Sequence, residues 1–450
     1  MHTHSALCYL YCDKINCETA MNILIRHSFL PVGQGIFSTG GIHSDAWGGR
    51  VFNWVYDCGS VKENLNILNL EIDRIKMFST FQFDNERPKL NVVFISHFDT
   101  DHISGLIKLL NNFDVDTLVI PYIPTWKRIV LTITSSSFND LNFQHFMTNP
   151  LSFIESIESC HVRKVIFVPP SDKTAPDDND DLFDGPSQRL EDSPILEADE
   201  TNDLPEDLDI LVSVRSSRIA VTTLQPGGRL VLNRFWEFVP YNEPTLKVKA
   251  TPHFRVAAKN YSNTLIQTND PSIRTKTLLS LKSLYERTFG SSSRKKNEIS
   301  LFLYSGPTGR RTPSWKKGIE FSRLKLFDYP CSIDYCDLCT ISFEQTSYTC
   351  SILYTGDGYL SSKERVRKLR DFFGEKRLEN LDIFQVMHHG SHDNWKKGIA
   401  AQFTPNESIF CADPNYKYKH PNKDVMSDFS LYNPVTVNNI GISRFYELIY

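Results

Sequence analysis

Four side chains able to bind a metal ion fall within six residues: His97, Asp99, Asp101 and His102, in the stretch Ser96-His97-Phe98-Asp99-Thr100-Asp101-His102. A second group, His388-His389-Gly390-Ser391-His392, lies far downstream, and Tyr354-Thr355-Gly356-Asp357 places a carboxylate between the two. Imidazole nitrogens combined with carboxylate oxygens suit zinc, manganese or iron rather than copper(I). A divalent ion lowers the pKa of a bound water from near 16 to about 7 and polarises the bond under attack, so hydrolysis is the chemistry such a set supports. Two ions about 4 Å apart stabilise both the attacking and the leaving oxygen of a phosphodiester. A lone His or Asp in a loop is usually only solvated; four in the register His-x-Asp-x-Asp-His argue for ligation.

Coordination distances of about 2 Å leave little slack, so such ligands need fixed backbone on both sides. Asn91-Val92-Val93-Phe94-Ile95 is an apolar run that reads as a buried strand, and Ile103 to Leu110 has apolar positions at helical spacing, which puts the first group on the turn leaving a strand. Asp382 to Met387 reads as another buried strand that delivers His388 and His389, and Ser351 to Tyr354 as one that ends at Asp357. Upstream, Ile23 to Ile25 and Val51 to Tyr56 are strands, the latter ending at Asp57-Cys58-Gly59, where Asp57 is expected to anchor the turn through backbone hydrogen bonds. Lys62 to Phe81 carries Leu65, Leu68, Ile72, Ile75 and Phe78 along one helical face. Strands at Thr117 to Pro121 and Lys164 to Pro170, with a helical region near Leu151 to Cys160 between them, give the alternation expected where helices cover a sheet. Further on, Glu298 to Tyr304 and Glu407 to Cys411 read as strands, and Thr275 to Phe289 and Ser362 to Phe373 as helices.

With 450 residues, 40% of them hydrophobic and 12% aromatic, the chain has ample material for a core. No stretch approaches the roughly 18 apolar residues of a membrane span, and no basic region followed by an apolar one marks a secretion signal, so no membrane association and a cytoplasmic location are expected. Scattered cysteines such as Cys58, Cys160 and Cys411 fit reduced thiols better than a disulfide framework. Residues 171–209 hold 15 acidic against two basic residues, a local balance of −13 within a chain of net charge −4. The remainder is therefore basic enough to meet a polyanionic substrate. The acidic stretch itself has few apolar residues and is expected to be a loosely held insertion. A second insertion, 306–350, carries Arg310, Arg311, Lys316 and Lys317, then Cys331, Cys336, Cys339 and Cys350, a spacing that could hold a structural zinc.

The first ligand group resembles the signature of the metallo-β-lactamase superfamily, His-x-His-x-Asp-His, with Asp99 standing where the second His of that signature falls. That substitution is similar to the branch containing the hydrolase domain of the competence protein ComEC. Val32-Gly33-Gln34-Gly35, Tyr56-Asp57-Cys58-Gly59, Asn297-Glu298-Ile299-Ser300-Leu301, Tyr354-Thr355-Gly356-Asp357, His388-His389-Gly390-Ser391 and His420-Pro421 match it in the same order. The resemblance implies a four-layer αββα sandwich over residues 22–425, with the insertions 171–209 and 306–350, an N-terminal extension at 1–21 and a C-terminal segment of unknown role at 426–450. It implies one or two divalent ions, Zn2+ or Mn2+: His97 and Asp99 on one, Asp101 and His102 on the other, Asp357 bridging, and His388 or His389 completing the ligands of the second ion. Asp99 in place of an imidazole favours manganese on the first site. A further His for that site is not evident in the sequence; His145, His161 and His253 are candidates by type alone. Asp101 could also orient the attacking hydroxide, and His392 and His420 could contact substrate or donate a proton.

The expected activity is metal-dependent hydrolysis of a phosphodiester in nucleic acid, in DNA processing or defence against phage. One alternative is a hydrolase of a small substrate such as a lactone, thioester, β-lactam or cyclic nucleotide. Another is a catalytically silent scaffold whose metal holds the fold and whose insertions bind a partner protein.

Overall fold

The computed structural model describes residues 22–82, 87–134, 140–176, 191–205, 219–244, 251–268, 270–289, 300–308, 315–322, 350–379, 381–438 and 440–449. The N-terminal extension therefore lies outside the described residues, as do Cys331, Cys336, Cys339, Arg310 and Arg311.

Strand alternation accounts for the layers. In Lys89–Phe94, Val92 and Phe94 point into one hydrophobic cluster, whereas Val93 and the following Ile95 point into another, all of them fully buried. Trp54 and Tyr56 likewise separate from Val55, and Ile383 from Phe384. A strand buried on both faces must be covered twice, which explains runs with no polar alternation. The shared cluster lies between two sheets, where Tyr56 stacks on Tyr354 at 4.3 Å between ring centroids. One outer face is closed by helices Leu65–Gln82, Leu106–Asn112, Leu141–Thr148 and Pro150–Ser156 through Leu68, Ile72, Leu109, Phe146 and Leu151. Across the molecule, helix Lys363–Phe373 covers the second sheet with Val366, Leu369, Phe372 and Phe373, and Ser362 caps its first turn. The protein is thus an α/β sandwich with helices outside two large sheets.

The first sheet has ten strands in the order Trp315–Ser322, Ile442–Ile449, Asn22–Phe29, Phe37–Ser44, Val51–Cys58, Lys89–Phe94, Asp114–Pro121, His161–Val168, Ala220–Leu224 and Glu200–Thr201. The second has eight: Pro434–Val437, Glu407–Cys411, Leu381–Gln385, Ser351–Tyr354, Leu301–Pro307, Trp236–Asn242, Leu230–Leu232 and Leu196–Ala198. Lys89–Phe94 pairs in parallel with both neighbours, and so does Leu381–Gln385. Their carboxyl ends point to one edge of the sandwich, the usual place for a site in parallel α/β sheets.

Three stretches enter the sheets in ways that local pattern does not announce. The segment 426–450, of unknown role in the sequence, belongs to both sheets: Ile442–Ile449 pairs along the whole of Asn22–Phe29, and Pro434–Val437 extends the second sheet beside Glu407–Cys411. The acidic stretch is not loose throughout, since Leu196–Ala198 pairs with Leu230–Leu232 and Glu200–Thr201 with Ala220–Leu224. Leu196 and Ala198 pack on the inter-sheet core, and Glu200 meets Lys164 at 2.7 Å and accepts from Thr222 at 2.7 Å, so the two edges bury enough to hold it. The 306–350 insertion also returns to the first sheet as Trp315–Ser322. Cys350 lies fully buried in the inter-sheet core, where burial pushes its thiol well up, while Cys331, Cys336 and Cys339 of the same zinc reading lie outside the described residues.

Candidate metal centre

Asp357 stands at the middle of the site with each carboxylate oxygen facing a different set of groups. Its Oδ1 lies 3.1 Å from His102 Nε2 and 3.7 Å from His389 Nε2. Its Oδ2 lies 3.6 Å from His97 Nε2 and 3.5 Å from His388 Nε2. Asp101 belongs to the first set, with Oδ2 3.2 Å from His389 Nε2 and Oδ1 4.0 Å from His102 Nε2. Asp99 belongs to the second, its Oδ2 3.9 Å from His97 Nε2. Ligand atoms of Asp101, His102, Asp357 and His389 all lie within 4.8 Å of one another, so this group could hold a metal ion.

The backbone that brings these atoms together is specific. Asp99 precedes the short helix Thr100–Ile103, which carries Asp101 and His102 on its only turn. Gly59 packs under that turn so closely that a Cβ would fall 2.3 Å from His102 N. The loop from Ser351–Tyr354 to Asp357 is pinned by Gln385, whose Oε1 accepts from Thr355 N at 2.9 Å and Gly356 N at 2.8 Å. Gly356 adopts φ +51 against Ser300 and Ser96, where a Cβ would meet Ser300 Oγ at 2.3 Å, so the two sheets close on each other here. Consecutive strand residues face opposite ways, yet His388 and His389 both address Asp357. They do so because both are left-handed, at φ 45 and φ 57. Each such residue costs about 1 kcal/mol or more, a strain of the kind held at functional sites by surrounding bonds.

Those bonds also set the tautomers. His389 Nδ1 donates to Cys411 O at 2.5 Å, His388 Nδ1 to Asn394 Oδ1 at 2.8 Å, His102 Nδ1 to Asp57 Oδ2 at 2.7 Å, and His97 Nδ1 to Ser96 Oγ at 3.0 Å. With every Nδ1 occupied, all four Nε2 atoms turn inward, the orientation from which a metal-binding imidazole presents its lone pair. His97 Nε2 is buried with no hydrogen-bond partner, which a cation would supply. The donor set therefore fits a divalent ion on chemistry and orientation.

Electrostatics agree. Burial opposes charge on Asp357, but His388 and His102 hold its carboxyl well below the usual range; Asp101 is drawn down to about 2 against its own burial, chiefly by the hydrogen bond from His389. Burial likewise works against a charged His102, yet Asp357 and Asp57 raise it well above its ordinary value, and Asp101 and Asp357 raise His389. Burial and then His102 push His97 down to about 3. Two buried carboxylates thus recruit positive charge from neighbouring rings, a demand that a bound cation meets directly.

The structure brings together His97, Asp99, Asp101, His102, Asp357, His388 and His389. His388 faces the same Asp357 oxygen as His97, whereas His145, His161 and His253 do not approach it among the described contacts. His161 binds Asp114 at 2.8 Å at the start of its strand, away from the carboxyl ends; His145 packs on Phe153; His253 is exposed on a helix. His420 sits half-buried at the rim, its ring 6.1 Å from that of His388, with burial lowering its pKa to about 4. His392 is exposed and packs on Trp395.

Sequence reasoning missed the residues behind the ligands. Asp57 holds more than its turn: Oδ1 accepts from Ser96 N at 2.7 Å, and Oδ2 from Ser96 Oγ at 2.6 Å as well as from His102. Burial raises its pKa, and His102 opposes that rise. Asn394 holds His388 and also donates to Asp357 O at 2.9 Å. The Asp57-Cys58-Gly59 strand end was a usable signal for the first; nothing in the sequence marks Asn394.

No protein-family model matches this chain, and no curated protein sequence matches it. Among the described residues no helix is long and apolar enough to cross a membrane.

Proposed function

We propose that the protein is a metal-dependent hydrolase of the metallo-β-lactamase type, similar to the ComEC-like branch, that cleaves phosphodiester bonds in nucleic acid. The observation that carries this is the division of Asp357: one oxygen on the His102–His389 side with Asp101, the other on the His97–His388 side with Asp99. Such a divided carboxylate would suit a pair of ions, one that His97, Asp99, His388 and Asp357 would hold and another that Asp101, His102, His389 and Asp357 would hold. Bound divalent ions supply acidification of water and neutralisation of charge on a phosphate. Both halves carry two carboxylates and two imidazoles, and Asp99 stands where the signature has an imidazole, which favours manganese on its half.

The chain's own groups do the rest. Asp101 is the more open of the two central carboxylates, with 21% side-chain exposure against 1% for Asp357, and it is placed to orient an attacking water and accept its proton. Asp57, Ser96, Asn394 and the Cys411 carbonyl keep the imidazoles in fixed tautomers, so orientation is complete before substrate arrives. His420, half-buried with its ring 6.1 Å from that of His388, is close enough to offer a hydrogen bond to a phosphate held at the centre.

The test is metal content by mass spectrometry on protein purified without added metal, wild type and Asp101→Asn in parallel, with nuclease assays in manganese and in zinc. About two ions per chain and cleavage lost in the variant support the proposal. Bound metal with no cleavage of any nucleic acid would redirect it to a small substrate, and absence of metal at these residues would sink it.

A further inference from the structure

We propose that the loop Tyr416-Lys417-Tyr418-Lys419 is a stacking platform that leads a single strand of nucleic acid to the metal centre; the proposal deepens the phosphodiesterase reading and rests on it. A row of rings runs outward from a metal-facing residue. His388 meets His420 edge to face at 6.1 Å and 63°, His420 lies 6.0 Å from Tyr418 with the planes inclined by only 29°, and Tyr418 meets Tyr416 edge to face at 5.4 Å and 74°. Tyr418 is 62% exposed, although it is a large aromatic with no core role. The Lys417 ammonium sits 4.9 Å from the Tyr418 ring centroid and 5.3 Å from that of Tyr416, and Lys417 and Lys419 are both exposed.

The loop is built rather than slack. Tyr416 N donates to Asp413 O at 3.0 Å, Lys419 N to Tyr416 O at 2.8 Å, Asp413 N to Gln34 Oε1 at 3.2 Å, and Asn422 N to Gly390 O at 3.0 Å beside the His388–His389 pair. Rings held in place ahead of binding lose little freedom when a base stacks on them. Alternating flat aromatic faces with lysines is the combination that unpaired nucleotides need: a π-face for each base and a cation for each phosphate. A duplex buries its base faces and offers no stacking partner, which selects the single strand. Anions stand near the row, Glu63 by Tyr416 and Asp357 and Asp393 by His420, with Asp413 at the start of the loop, so the attraction comes from Lys417 and Lys419 rather than from a broad basic field.

The test uses full-length protein treated with EDTA, so that nothing is cleaved, and fluorescence anisotropy of a labelled 12-nucleotide single-stranded DNA and of a hairpin duplex. Wild type should bind the single strand more tightly. Tyr418→Ala should weaken that binding about tenfold or more, and Tyr418→Trp should restore it. Lys417→Ala should lower the slope of log K against log salt by about 0.7. Single-strand affinity within twofold of wild type in Tyr418→Ala, or a preference for duplex, overturns the platform. Hydrolysis of bis(p-nitrophenyl) phosphate by the metal-loaded wild type is measured alongside. Strand binding through Tyr418 without hydrolysis supports the platform and removes the phosphodiesterase reading; hydrolysis without strand binding overturns the platform and leaves the centre standing.

Discussion

Replacing Asp57 by Asn probes how the fold prepares a ligand. Asp57 sits at φ 54, a conformation that Asn tolerates, and it is fully buried, so the change is nearly isosteric and the backbone need not move. Its carboxylate accepts three donors, Ser96 N, Ser96 Oγ and His102 Nδ1. Asn has one acceptor oxygen. If that oxygen keeps the Ser96 backbone N–H, the amide NH2 faces His102 Nδ1, which must then accept, and the ring proton moves to Nε2. Nε2 is the atom 3.1 Å from Asp357 Oδ1, so the lone pair needed for ligation is lost unless the ring pays to switch back. The expected loss is 10- to 100-fold in metal affinity, about 1.4 to 2.7 kcal/mol. Competition titration with a chromophoric chelator, in manganese and in zinc, reads it directly, and a thermal melt confirms that the variant folds. An affinity within twofold of wild type would refute the claim that Asp57 sets the His102 tautomer.

Three further outcomes are expected. His388→Ala should keep one tightly bound ion, because Asp101, His102, Asp357 and His389 remain, whereas His389→Ala should lose it; titration stoichiometry distinguishes them. Gly59→Ala should destabilise the fold by ~3 kcal/mol, since the added Cβ meets His102 backbone atoms at 2.3 Å with no flexible side chain to yield; urea denaturation measures it. His27 is buried beside Trp54 and Trp236, and burial lowers its pKa to about 3 from 6.5. The folded state therefore favours the neutral ring, its contribution being fully present above about pH 6.5 and lost as pH falls toward 3. Between pH 6 and 4 wild type should lose about 1.4 kcal/mol more per pH unit than His27→Gln, and equal slopes would show that His27 does not titrate this way.

Much of the scaffold is legible locally. Val92-Val93-Phe94 and Ile383-Phe384 announce strands buried on both faces because consecutive residues are apolar, and Ser362 announces a helix start by its type and position. The acidic stretch misled because composition outweighed two short edge strands whose partners, Leu230–Leu232 and Ala220–Leu224, lie beyond it in the chain. The C-terminal strand was invisible for the same reason: what holds Ile442–Ile449 is Asn22–Phe29 at the other end of the protein.

The sequence by itself determined the kinds of ligand, the strands that deliver them and the carboxylate between the two groups, because side-chain chemistry and strand patterning are local properties. Only the tertiary structure decided that His388 joins His97 while His389 joins Asp101, since that depends on two left-handed residues fixed by Asn394 and by the carbonyl of Cys411. The pairing of Asp57 with His102, 45 residues apart, was decided in the same way. A hydrogen bond between distant residues is set by sheet register and packing, which no neighbouring residue encodes.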